Sequence, residues 1–332
     1  MRRQIGWIVV VGAALSGPAN AVDLWGEEEN LYGGGDYFYA SPDKALELRG
    51  SIGVIGLEAR EHVFPTAGAT DNLSLLIWQS VAPMATGDVR VRLPDDWTVS
   101  GRLRAAISGT SYMQDYDWTG AHFVSYDFDD WTHRSQHPDT NLDWYFDGSL
   151  AVGRDVMVED AVRVNLNGGF KYTDVQWTAT GGSYIYSVGG FRDTSGNLAD
   201  TPAITYRQQL PTLFAGLDIE AVENGWTYGV SAKGGMTLFG VATDHHWMRV
   251  PPLRFIDNLQ PAPMLSLAAS AGYDLSDNLG LFFEGTVEKV FLGRADTEIY
   301  NNDTDALIAT APDAAGAELA SVGLSAGLKG SF

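Results

Sequence analysis

Apolar and polar residues alternate along most of this chain. In the closing stretch LASVGLSAGLKGSF, Val322, Leu324, Ala326, Leu328 and Phe332 share one parity, while Ser321, Ser325, Lys329 and Ser331 share the other. A period of two belongs to an extended strand whose successive side chains point to opposite faces, here one apolar and one polar. Strand-like segments lie near residues 46–59, 72–93, 97–113, 140–153, 161–179, 203–221, 225–241, 263–274, 279–292 and 317–332, and none has a helical period. Their connections alternate in length. Pro94-Asp95-Asp96, Gly153–Ala161, Glu223-Asn224-Gly225 and Leu275–Asn278 are short, whereas 60–71, 114–139, 180–202, 242–262 and 293–316 are long. Short turns on one rim, long loops on the other and a last strand ending in Phe are the marks of a membrane barrel. The pattern predicts an all-β fold, a ten-stranded antiparallel transmembrane β-barrel over residues 46–332 with long extracellular loops and short periplasmic turns.

The start of the chain supports export. Residues 1–21 carry Arg2 and Arg3, an apolar run from Ile5 to Leu15 and the small-x-small ending Ala19-Asn20-Ala21, the pattern of a secretory signal peptide. That run is too short to cross a bilayer as a helix, and no later stretch reaches about 18 unbroken apolar residues. Residues 22–45, acidic, aromatic and glycine-rich, read as a loose periplasmic extension. The formal net charge of −21 becomes −23 once Arg2 and Arg3 are removed. Such a charge argues against nucleic-acid partners and suits cationic ones. With no cysteine, the chain has neither disulfides nor thiolate metal sites.

Candidate chemistry gathers at the long connections. In SYMQDYDWTG, Asp115 and Asp117 stand one residue apart, so in extended chain they project to the same side and repel. A solvated acidic loop tip is the plain alternative. All six histidines (His62, His122, His133, His137, His245, His246) fall in the expected long loops. In ATDHHWMR, Asp244 and His246 repeat the same spacing, and an aspartate beside a histidine fixes its tautomer and raises its basicity. Both pairs arrive at one rim. One conflict stands against this. Leu103, Ala105 and Ile107 share the parity of Asp115, and Val230, Met236 and Leu238 that of Asp244, so unbroken strands would aim both pairs outward. A bulge near Gly109 and Gly240, or a twist above the membrane, is required to turn them in.

Several of these stretches together resemble the omptin family of outer-membrane endopeptidases: MQDYDW (113–118), SQHPDT (135–140), GGSYIYS with GFRD (181–193), DHH (244–246) and REHVF (60–64). The resemblance covers roughly residues 46–332. It implies a ten-stranded barrel and a site that activates water without a covalent nucleophile, with His246 as general base, Asp244 orienting it, and Asp115 and Asp117 across the cleft holding the water and sharing its proton. Glu61 matches a family acid of the pocket for a basic side chain, but the partner acid falls on Ala242, which predicts a pocket short of one charge. An acid tied to the next substrate residue falls on His133, which predicts a relaxed preference there. His137 reads as cleft-lining and Ser135 as structural, since no Gly-x-Ser-x-Gly elbow accompanies it.

Family positions that contact lipopolysaccharide read Phe170, Tyr172, Asp174 and Gln209, so dependence on that lipid is not expected. Nor is a cofactor or a metal, because His133, His137, His245 and His246 lack His-Glu-x-x-His spacing. The implied function is an endopeptidase held in outer-membrane lipid, its site facing outward, cutting exposed cationic polypeptides with relaxed preference for basic residues. The alternative is a non-catalytic adhesin or peptide-binding barrel that uses the same rim.

Overall fold

A computed structural model describes residues 44–159 and 161–332; the expected signal peptide and nearly all of the expected extension lie outside these residues. The strands are β1 (Leu46–Val63), β2 (Ser74–Arg92), β3 (Trp97–Ala106), β4 (Thr110–Asp117), β5 (His133–Glu159), β6 (Val162–Thr180), β7 (Ser183–Tyr186), β8 (Thr194–Asn197), β9 (Pro202–Glu223), β10 (Trp226–Thr237), β11 (Val241–His246), β12 (Leu253–Leu259), β13 (Ala262–Ser276), β14 (Leu279–Asn301) and β15 (Leu307–Ser331). No α-helix occurs among the described residues, only short 3-10 turns at Pro94–Asp96 and Phe128–Asp130. All pairing is antiparallel. The ladder runs from β1 through β2, then β3 with β4, β5, β6, β9, β10 with β11, β13 with β12, and β14 to β15. There β15 pairs with β1, from Ala315 opposite Val63 to Ser331 opposite Glu47, so the ring closes on itself, and of the described strands the short β8, paired with β7 alone, is left at an edge.

The stretches expected as long loops all contain strand. The first reaches Val63, the connection over 114–139 is strand to Asp117 and again from His133, and the later ones hold β7, β8, β11 and β12. Five histidines therefore sit on strands: His62 on β1, His133 and His137 on β5, and His245 and His246 on β11, with His122 in a loop. The reason is physical. Above an apolar belt the outward face turns polar and stops resembling a membrane strand, yet the backbone still satisfies its N–H and C=O groups by continuing the ladder. On β1 the outward Leu48, Ile52 and Val54 are 44%, 76% and 51% exposed, and Glu58 and Arg60 then occupy the same face.

The interior has three levels. Towards the short turns lies a charged zone that includes Arg104, Asp147, Lys171 and Glu288. Above it Leu57, Trp78, Met113, Leu142, Trp177 and Tyr206 form a buried apolar plug, with the Trp78 ring 6.1 Å from Trp177 and 5.7 Å from Tyr206. Trp78 pairs in register with Ala59, so Glu61, two residues further along β1, is the first inward group beyond the plug. It faces the rim.

Candidate active site

Two bulges turn the acidic pairs inward. Between Ala106 and Thr110, residues 107–109 stand opposite only two residues of β2, because Met84 pairs with Ala106 and Val81 with Thr110. Between Thr237 and Val241, residues 238–240 likewise stand opposite two residues of β9. One extra residue inverts the parity of everything beyond it. Ser108 (φ 62°), Gly109 (φ 111°) and Phe239 (φ 56°) absorb the left-handed backbone, and a Cβ at Gly109 would lie 2.4 Å from the Val81 carbonyl oxygen. Below the bulges Leu103 and Val230 are 57% and 56% exposed, whereas above them Met113 and Asp244 are 0% and 1% exposed.

The dyad is closed. His246 Nε2 lies 2.5 Å from Asp244 Oδ2, and its Nδ1 accepts a 3.2 Å hydrogen bond from Arg249 Nε. Phe255 stands edge-on to the imidazole at 5.3 Å. With Asp244 on Nε2, Nδ1 is the nitrogen that remains for proton transfer, once Arg249 releases it. His245, the next residue, faces the other way, bonding Asn302 Oδ1 at 3.1 Å and stacking on Trp247.

The facing pair is half-buried on β4. Burial, and then repulsion from Asp117 and Asp244, push the Asp115 carboxyl well above the usual carboxylate range, against the opposing pull of Ser74 and Arg249. Burial raises Asp117 too, while Ser74, His133, Arg249 and His246 hold it down. Acids buried side by side favour holding a proton between them. Ser74, at the end of β2 and in register with Asp117, donates to Asp115 Oδ1 at 3.2 Å. Its role was hidden in the sequence because the contact crosses the sheet. The Tyr186 hydroxyl is raised to about 12 by burial and by Asp115 and Asp117.

A second acidic group lies deeper. Glu61 is 3% exposed, and burial, then Asp244, Asp257 and Asp115, push its carboxyl well up. Asp257, which the sequence reading passed over, is 2% exposed and raised by burial to about 7, with the Thr297 hydroxyl (2.7 Å) pulling the other way. It pairs directly opposite Ala242.

His133 lies in register with Asp117, its Nδ1 2.9 Å from Thr132 Oγ1 and its ring 5.1 Å from Tyr186. His137, expected to line the cleft, is 1% exposed instead. Its Nε2 meets Ser135 Oγ at 2.8 Å and its Nδ1 meets the Gly181 carbonyl oxygen at 2.6 Å, so both nitrogens are spent bracing β5 against the next hairpin. In the GFRD stretch Arg192 stacks on Trp131 at 3.5 Å, and Asp193 accepts from the backbone N–H groups of Val188 and Gly189. These residues pin the loops around the cleft.

The sequence profile described as the Omptin family matches residues 42–332 of this chain. Outer membrane protease OmpP of Escherichia coli K12 is 26% identical over 275 residues, covering 80% of this chain and 83% of the relative. A plasminogen activator of Yersinia pestis is 26% identical over 296 residues, covering 88% of this chain and 91% of the relative. In fold, the crystal structure of outer membrane protease OmpT from Escherichia coli superposes with a TM-score of 0.80 at 24% identity, covering 88% of this chain and 98% of that one.

Proposed function

This chain belongs to the omptin family, and we propose that it is an outer-membrane endopeptidase that hydrolyses exposed cationic polypeptides with water activated by His246. Counted as staves, with β3 and β4, β10 and β11, and β12 and β13 each taken as one and the β7–β8 hairpin left out, the ring has ten strands. Its apolar belt sits in outer-membrane lipid, with the short turns in the periplasm and the site facing the exterior. The observation that carries the reading is the convergence of Asp244–His246 with Asp115 and Asp117 on one rim, across the two bulges that invert both strands.

In the proposed reaction Asp244 holds the His246 proton at Nε2, leaving Nδ1 to take a proton from water as the water oxygen attacks the peptide carbonyl carbon. Arg249 must swing away first. Asp115 and Asp117, sharing a proton, hold the water on its other side. The proton on Nδ1 then passes to the leaving amine as the carbon–nitrogen bond breaks, and the imidazole returns to its starting tautomer. Glu61 receives a basic side chain before the cut, and His133, where an acid would favour a base after the cut, accepts small or apolar residues. His137 and Ser135 brace the wall from behind.

Lipopolysaccharide is not required in this reading. At the outward positions in question Asp174 already pairs bidentately with Arg207 (2.9 and 2.5 Å), and Gln209 donates to the Tyr172 hydroxyl at 2.7 Å, which leaves Arg207 neutralised as an anion receptor. The test is incubation of the purified protein with a mixed peptide library and mass-spectrometric mapping of the products. Cuts made by the wild type and absent with His246→Ala are expected; peptides bound and returned intact would establish the adhesin reading instead.

A further inference from the structure

The rim holds more carboxylate than its dyad uses. Gln208, Ala242, Asp257 and Thr297 form one inward row across β9, β11, β12 and β14, each in register with the next, and all are at most 7% exposed. Between the polar side chains of Gln208 and Asp257, Ala242 contributes only a methyl group. Glu61 completes the group from β1, close enough to Asp257 and Asp244 for mutual repulsion. Gln208 Oε1 is buried without a hydrogen-bond partner, and Glu61 and Asp244 have only each other, the raised Glu61 carboxyl donating to Asp244. A buried acceptor without a donor costs free energy, so this cluster suits a donor that arrives from outside.

The chemistry of that donor is narrow. A cation suits it, because Glu61, Asp244 and Asp257 face one another and a positive charge among them draws off the protons that burial and repulsion retain there. It must bring several N–H groups to one place, which a guanidinium does with five in a planar fork and an ammonium with three. Among the described residues no group of three or more His, Asp and Glu side chains is arranged to hold a metal ion, which favours a basic side chain as the occupant. The Tyr206 ring, fully buried and paired with Asp244, supplies an aromatic surface beside the acids.

We propose that Asp257 is a specificity-determining residue, the second carboxylate of the pocket that takes a basic side chain before the cut, supplied from β12 in place of the acid absent at Ala242. The inference rests on the endopeptidase reading above and corrects the expectation that the pocket has lost a charge. The charge has moved one strand sideways. Selectivity for arginine or lysine before the cut therefore stays strong, and relaxation is confined to the residue after it, at His133.

The test uses two peptides that differ only in arginine or its neutral isostere citrulline before the cut, and reads the ratio of their kcat/KM values. Asp257→Asn is expected to lower that ratio at least about 30-fold, the lower end of what losing one partner of a buried charge pair costs. Adding Ala242→Asp to that variant, which returns a carboxylate to the facing position, should restore most of the ratio. An unchanged ratio, or equal slowing of both peptides as a purely structural residue would give, overturns the proposal. Asp257→Ser, which keeps a hydroxyl for Thr297, replaces the Asn variant if the latter fails to fold. Should the wild type cut neither peptide, the endopeptidase reading fails, and titration with agmatine as guanidinium probe still decides the pocket. An affinity loss of about 30-fold in the Asp257 variant sustains it, and equal affinity sinks it.

Discussion

Two groups of buried carboxylates occupy the same barrel and are treated in opposite ways. In the charged zone below the plug, Asp147 accepts from Arg104 Nε and Nη2 at 3.1 and 3.0 Å, from Lys171 at 2.7 Å and from the Thr173 hydroxyl at 3.0 Å, while Lys171 also pairs with Glu288. Acids and bases alternate there. At the rim, Glu61, Asp115, Asp117, Asp244 and Asp257 face one another, with the His246 imidazole and the exposed Arg249 guanidinium beside them. Glu61, Asp244 and Asp257 are as deeply buried as Asp147, while Asp115 and Asp117 are half-buried; the compensation is what differs. A paired buried charge holds its neighbours in register, whereas an unpaired one raises the energy of the resting state and waits for a partner. The difference separates the part of the lumen that keeps the fold from the part to which the proposed chemistry belongs.

The comparison breaks most sharply through one substitution in each zone. His246→Ala should lower kcat by about 10²–10⁴, the range general-base catalysis contributes, and leave the barrel's circular dichroism and urea midpoint unchanged. Asp147→Asn should do the reverse. It leaves Arg104 and Lys171 with Glu288 alone and should cost about 3–5 kcal/mol in urea unfolding, with the cleavage rate of the folded fraction intact. If the two variants lose activity and stability together, the zones are one cooperative unit and the contrast is void.

Next in size are the facing acids. Asp115→Ala and Asp117→Ala should each slow cleavage on the order of 10²-fold. The double variant should lose little more, because two groups sharing one proton act as a unit. Additive losses in single-turnover kinetics would mean that each carboxylate works alone.

How far the sequence carried this distinction depends on what each feature needs. The two acidic pairs were legible because i, i+2 spacing is local, and the conflict between their parity and that of Leu103 and Val230 pointed to the bulges before either was located. That three residues stand opposite two is a property of a neighbouring strand and no single segment reveals it. Asp257 stayed hidden for a related reason. It lies opposite Ala242 only if the hairpin over β11 and β12 folds about residues 249–250, and Pro251-Pro252 was the local sign of that turn. His137 misled because a histidine in a polar stretch reads as surface, whereas Gly181 reaches it from a different hairpin. Partners that arrive across the ring are what the pattern of one strand cannot carry.

A smaller effect should appear in the pH dependence of stability. For Asp257 the folded value of about 7 exceeds the ordinary 3.8. Below about pH 4 the carboxyl is protonated in both states and costs nothing. Between about 4 and 7 the unfolded chain ionises while the folded one keeps its proton, so stability falls as pH rises, by at most about 1.4 kcal/mol per unit from this group, and levels off above 7. Urea midpoints across that window should flatten in Asp257→Asn. The same slope in both proteins would mean that other rim acids carry it. Asp147→Asn should not flatten the slope.

The smallest expected effect concerns the one arginine that reaches over the acids. Arg249 donates to His246 Nδ1 and lowers the proton affinity of both Asp115 and Asp117. Replacing it with alanine has two consequences of opposite sign. The base nitrogen is freed, which favours turnover by removing a contact that must break first. The acid pair loses a stabilising cation, so its protons are held to higher pH and the acidic limb of the kcat/KM profile should move upward by a fraction of a unit. Near neutral pH the gain should prevail by a few-fold, and at lower pH the loss should cancel it, so the two profiles should cross. A uniform rise at every pH would make Arg249 a simple plug on the base. A uniform fall would make it part of the machinery, a cation the rim needs, and would draw the rim closer to the compensated pattern of the zone below.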